Sequence, residues 1–138
     1  MIEGFLRGGS PRVYARLWLP DLSPRSAEVE FVVDTGAAVT VIQLGVLAEL
    51  GVRADDLRQL PVERNIAMSG IVIHALARGA IEFVSEDDNP LRLRLQMRLA
   101  LEPPSETGAA PSVLGMNLLS NFRVVVSVPE GLVALESP

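Results

Sequence analysis

Phe31-Val32-Val33-Asp34-Thr35-Gly36-Ala37 is the stretch on which the fold turns. A β-branched and aromatic run from Val29 to Val33 reads as a buried strand. It stops at Asp34-Thr35-Gly36, whose residue types favour a tight turn. Beyond Ala37-Ala38 the run Val39-Thr40-Val41-Ile42 predicts a second short strand. An acidic side chain between two apolar strands is either an ordinary turn residue or a carboxylate held at a fixed place.

Outward from this centre the chain reads as mostly strands. Val13 to Leu19 alternates and halts at Pro20, and residues 20–26 have loop composition. Gln43 to Leu50 carries Leu44, Leu47 and Leu50 at helical spacing, with Gly51 placed to end the helix in a left-handed conformation. Asp55-Asp56-Leu57-Arg58 suggests a further helical turn before Pro61. Asn65 to Ile73 predicts a hairpin of two short strands around Met68-Ser69-Gly70. Ala80–Val84 and Leu91–Leu101 predict another antiparallel pair. Residues 102–111 are polar and proline-rich. Ser112-Val113-Leu114 then leads to Gly115, a brief helix at Met116–Ser120, and strands at Phe122–Val128 and Leu132–Leu135 around Pro129-Glu130-Gly131. No internal repeat occurs, and residues 1–138 are expected to form one domain.

Composition excludes several functions. With 12 basic and 17 acidic residues the net charge is −5, and every basic residue is arginine. That balance, with few aromatic residues, argues against a nucleic-acid partner. The cluster Arg92, Arg94 and Arg98 lies in the alternating run that includes Leu91-Arg92-Leu93-Arg94-Leu95, which reads as the solvated face of a strand. No apolar run reaches the roughly 18–20 residues that span a membrane. The N-terminus lacks a secretory pattern and there is no cysteine, so a cytoplasmic location is the expectation. No metal is expected: His74 is the only histidine, with no His-Glu-x-x-His spacing. Trp18 is expected in the core or at a dimer contact. No glycine-rich phosphate loop and no nucleophile-elbow serine are present.

Asp34-Thr35-Gly36 after a strand, followed about eighty residues later by Val113-Leu114-Gly115, a short helix and a final hairpin, resembles the retropepsin-like aspartic proteases. The resemblance runs from Val13 to Leu132 and includes the single-lobe bacterial forms. It implies an all-β fold, a small closed or orthogonally packed barrel with one or two short helices, in a homodimer. It implies an aspartic endopeptidase without organic cofactor, acting on a peptide or protein substrate. Asp34 would be the catalytic carboxylate, Thr35 would hydrogen-bond across the dimer axis, and Gly36 would bring its N–H to the carboxylate. Ala37 would floor the cleft, and Met68, Ser69 and Gly70 would form the tip of a flap closing over substrate. Val113, Leu114 and Gly115 would support the catalytic loop, with Asn117 after them.

A carboxylate that activates water for attack on an amide needs a second carboxyl nearby, so that one is ionised and the other protonated. Only one aspartate has the Thr-Gly context, so two copies of the chain must supply the pair. Retroviral members carry an acidic residue and an arginine, joined as an ion pair, where this chain has Ala38 and Met116. Both partners are replaced together, so no charge is left stranded. The other reading is a retropepsin-fold dimer without useful turnover, serving as a peptide-binding or dimerisation module.

Overall fold

A computed structural model describes residues 1–67, 70–85, 87–102 and 110–137. Its elements in chain order are β1 (Ile2–Glu3), β2 (Phe5–Arg7), β3 (Ser10–Trp18), β4 (Ser26–Val33), β5 (Val41–Ile42), α1 (Leu44–Glu49), α2 (Ala54–Leu57), β6 (Val62–Ala67), β7 (Gly70–Val84), β8 (Pro90–Ala100), β9 (Val113–Leu114), α3 (Met116–Leu119), β10 (Arg123–Ser127) and β11 (Leu132–Glu136). The fold is all-β with short helices between strands, as the alternating pattern requires.

Eight strands lie in the order β2-β3-β4-β9-β5-β8-β7-β6, and a further pairing of β3 with β7 turns the sheet back on itself. The ring β3-β4-β9-β5-β8-β7 is thereby a closed barrel. Its closure is short: Arg16, Leu17 and Trp18 pair with Glu82, Ile81 and Ala80. Inward positions of the strands fill the interior, with Leu17, Phe31, Ile81, Phe83, Met97, Leu99 and Leu114 fully buried. A second sheet, β1-β11-β10, joins the two ends of the chain. It buries Ile2, Val133 and Leu135 in the same apolar cluster.

Two expectations need correction, and two short strands are added. The strand around Ile73 and the strand at Ala80–Val84 are one continuous strand, β7, of 15 residues. The interruption in its apolar pattern comes from Ala75, Ala77, Gly79 and Ala80, small residues where neighbouring strands crowd in. At Gly79 an added Cβ would lie 2.6 Å from the Trp18 carbonyl oxygen and 2.8 Å from Leu19 Cδ2. The second strand of the Asp34 loop is only Val41–Ile42, because the Thr40 N–H and hydroxyl bond to the Asn117 side chain and Val39 lies against Gly115. Ile2–Glu3 and Phe5–Arg7 are strands too short for alternation to disclose. Elsewhere the reading holds: Gly51 closes α1 at φ +74°, with its N–H on the Ala48 carbonyl at 3.0 Å.

Candidate active site

β4 delivers Asp34 to the mouth of the barrel and β5 carries the chain away. Between them lies β9, parallel to β4 through Val32–Val113 and Val33–Leu114, and antiparallel to β5 at Val41–Val113. Val113 and Leu114 are thus threaded through the loop whose tip holds Asp34, Thr35 and Gly36. The Asp34 N–H donates to the Leu114 carbonyl at 3.1 Å, which fixes the loop where it leaves the sheet.

The loop then folds on its own carboxylate. The Gly36 N–H donates to Asp34 Oδ1 at 2.9 Å, and the Ala37 N–H donates to the Asp34 carbonyl at 3.2 Å. A carboxylate accepting a backbone N–H loses rotamer freedom and keeps a second oxygen for other partners. Asp34 is half-buried, while Thr35 and Gly36 are exposed and Ala37 is half-buried beside them. Within the chain the Thr35 hydroxyl makes no hydrogen bond among the described residues.

The far side of the loop is clamped by α3. The Met116 N–H donates to the Ala37 carbonyl at 2.7 Å and the Asn117 N–H to the Ala38 carbonyl at 3.0 Å. The segments that carry Ala38 and Met116 are therefore joined through main chain rather than charge, Met116 to Ala37 and Asn117 to Ala38. Both are exposed, so neither apolar side chain fills a buried ionic slot. Gly115 passes against the loop so closely that an added Cβ would lie 2.7 Å from the Val39 carbonyl oxygen and 2.8 Å from Thr40 N. Only glycine fits that approach.

Sequence reading missed the residue at the centre of this clamp. Thr40 is fully buried, its hydroxyl donating to Asn117 Oδ1 at 3.0 Å and accepting the Gly115 N–H at 3.1 Å. Its own N–H also reaches Asn117 Oδ1, at 3.0 Å, and its carbonyl accepts the Arg98 N–H at 2.9 Å. Asn117 completes its amide with Nδ2 donating to the Gln96 carbonyl at 2.8 Å. Ser112 is a second omission: its buried hydroxyl accepts the Gln43 N–H at 3.0 Å, at the start of α1. The available signal was a hydroxyl inside a β-branched run, Val39-Thr40-Val41-Ile42, a polar group that burial obliges to find partners.

Met68 and Ser69, the expected tip of the hairpin, lie outside the described residues. Gly70 opens β7 at φ +118° and pairs with Ala67. Below it the hairpin presents Ile66, Ile71 and Val62 to solvent. Its base is tied to the barrel wall by Arg98 Nη2 donating to Glu63 Oε1 at 2.5 Å. Across the ladder from Glu63 lies His74, whose pKa is lowered by burial first and by Arg98 second, with Glu63 opposing. Among the described residues no cluster of His, Asp and Glu could hold a metal ion, and no helix is long and apolar enough to cross a membrane.

No family model matches this sequence, and no curated protein matches it. Solved structures do. A retropepsin-like aspartic protease from Rickettsia conorii superposes with a TM-score of 0.64 at 20% identity, covering 98% of this chain and 88% of that one. EIAV protease complexed with the inhibitor HBY-793 superposes with a TM-score of 0.55 at 15% identity, covering 85% of this chain and 93% of that one. The chain thus has the retropepsin-like fold of aspartic proteases.

Proposed function

We propose that this chain is one half of an aspartic endopeptidase, with residues 1–138 folding as one unit and two copies each contributing Asp34. The observation that carries the reading is the restrained Asp34 carboxylate: Oδ1 accepts the Gly36 N–H, and its loop is clamped from behind by Leu114 and α3. A carboxylate so held, half-exposed at the end of a buried strand, suits a reaction in which it must meet its symmetry mate. At the two-fold axis the pair shares one proton, because two like charges in contact cannot both ionise. The ionised member takes a proton from water as the oxygen attacks the peptide carbonyl, and the protonated member donates to the carbonyl oxygen. Collapse of the resulting gem-diol returns a proton to the departing amine. Thr35, exposed and without a side-chain hydrogen bond among the described residues, is free to bond across the axis.

An extended peptide is the substrate class that suits such a site, with Ala37 beneath it and the β6–β7 hairpin, including Met68, Ser69 and Gly70, above it. Val113, Leu114, Gly115 and Asn117 act as support rather than as reacting groups. Asp34→Asn keeps the Gly36 hydrogen bond through the amide oxygen and removes the titratable proton. It is expected to reduce cleavage of an unfolded protein at mildly acidic pH by about 10³-fold or more. Undiminished cleavage by that variant would remove Asp34 from the mechanism. Sedimentation of the wild type at micromolar concentration should show a dimer. A dimer that neither cleaves nor binds a mimic of the tetrahedral intermediate would favour the non-enzymatic module.

A further inference from the structure

On the outer wall of the barrel, away from Asp34, strand register places Trp18, Ala80 and Arg94 in one transverse row across β3, β7 and β8. The next row holds Arg16, Glu82 and Arg92, and on the other side Arg78 faces Gln96. Ala80 is small and buried, so it floors a hollow of about 460 Å³ between the Trp18 ring and the guanidinium side chains of Arg78, Arg92 and Arg94. Arg92 lies over the indole at 4.3 Å from the ring centroid, and Nε donates to Glu82 at 3.0 Å. That pairing fixes the ring and neutralises one charge.

The other two arginines differ from their neighbours. Along the same face Arg7 and Arg12 bind Glu30 at 2.7 and 3.0 Å, and Arg16 faces Glu28 at 3.8 Å. Arg78 and Arg94 are exposed and make no ion pair among the described residues, and Asp21 at the rim is the hollow's one lining carboxylate. A chain of net charge −5 thus keeps two unneutralised guanidinium groups beside an immobilised aromatic ring.

We propose that this hollow is a recognition site for an acidic segment of a polypeptide partner. Planar guanidinium groups take carboxylates in bidentate fashion, and the ring gives apolar cover to the methylene stems of glutamate. The overall negative charge disfavours long polyanions such as nucleic acid, whereas a short acidic segment meets only the local field. The site stands independently of the peptidase reading, since it shares no residue with the Asp34 loop.

Trp18 is the only tryptophan, so its emission reports on the hollow directly. Titrating the full chain with a hexaglutamate peptide at low salt should change that emission saturably, while hexaglutamine should not. Added salt should weaken the binding, and the double variant Arg78→Gln/Arg94→Gln should bind at least tenfold more weakly with unchanged thermal unfolding. Asp34→Asn should bind like wild type, whatever its effect on cleavage. No saturable change with hexaglutamate, or equal binding by the double variant, would overturn the proposal. So would equal or tighter binding of a single-stranded oligonucleotide or of anionic vesicles. Emission that varied with protein concentration alone would instead assign the hollow to a second copy of this chain.

Discussion

The Asp34 loop and the β6–β7 hairpin, which the proposed function makes floor and cover of a cleft, are built in opposite ways. The Asp34 loop is held by main chain and by two buried or half-buried polar side chains, Thr40 and Asn117, whose groups bond to one another and to both flanking segments. The β6–β7 hairpin has its ladder, one ion pair at its base, and apolar side chains turned to water, with Ile66 at 93% and Ile71 at 70% exposure. The Asp34 loop cannot move without breaking buried hydrogen bonds, whereas the outer part of the hairpin, with Ile66 and Ile71 already in water, has few such bonds to break. A rigid floor and a yielding cover are what a reaction needs when a carboxylate must be fixed but a chain-like substrate must enter.

The sharpest way to break that contrast is to strike the floor where it is tightest. Gly115→Ala places a methyl group against the backbone of Val39 and Thr40, which cannot rotate aside as a side chain can. A loss of about 1–3 kcal/mol, the usual range for overpacking, is expected in urea unfolding. Cleavage should fall further than stability, because the displaced backbone carries Asp34. An unperturbed Gly115→Ala protein would mean the two segments are not in contact.

Next in size is Thr40→Val, which keeps the shape and removes the hydroxyl. Asn117 Oδ1 loses one of its two donors and the Gly115 N–H loses its acceptor. Leaving that buried N–H unsatisfied costs about 1–3 kcal/mol. Chemical denaturation of the variant beside wild type measures it, and Thr40→Ser should recover most of the difference. Equal stability of Thr40→Val and wild type would move the clamp from side chains to main chain alone.

How far the two sides were legible in the sequence follows from the range of the interactions that make them. The Asp34 turn was readable because its logic is local: a β-branched strand, an acid, a β-branched hydroxyl and a glycine in four consecutive places. The apposition of Gly115 came only from resemblance, and the Thr40–Asn117 bond not at all, since its partners stand 77 positions apart. No periodicity carries information over that distance. The closure of the barrel was hidden for a different reason. Small residues at Ala75, Ala77, Gly79 and Ala80 look like an interruption in a strand, whereas they mark the place where another strand packs against it. Arg92, Arg94 and Arg98 read alike as a solvated series. Register separates them into a charge stacked on Trp18, one without an ion-pair partner, and one half-buried under the hairpin.

The cover should answer substitution with kinetics rather than stability. Ile66→Ser removes an apolar side chain that is almost wholly in water, so unfolding should shift by no more than about 0.5 kcal/mol. If the hairpin closes on a peptide, KM should rise while the Asp34 chemistry in kcat is little changed. A stability loss as large as that of Thr40→Val would show that the hairpin is part of the core and not a cover.

The smallest expected effect tests the base of the hairpin. His74 is half-buried at the base of the hairpin, opposite Glu63, with Asn65 Nδ2 3.5 Å from Nδ1 and Arg98 bonded to Glu63. Burial and the Arg98 charge hold its pKa below the ordinary value of 6.5, against the opposing pull of Glu63. The folded chain therefore binds this proton less readily than the unfolded one. Stability from the neutral imidazole is fully present above pH 6.5, and it is lost as pH falls from there through the folded pKa. Other titrating groups cancel when the unfolding free energies of wild type and His74→Gln are subtracted at each pH. That difference should be constant above neutrality and should move in favour of the glutamine variant on acidification. Because protonation places a cation beside the Arg98–Glu63 tie, amide exchange in the hairpin should quicken over the same interval. A difference flat across the whole range would mean that His74 is as well solvated as in the unfolded chain, and the hairpin base would then be no more anchored than its tip.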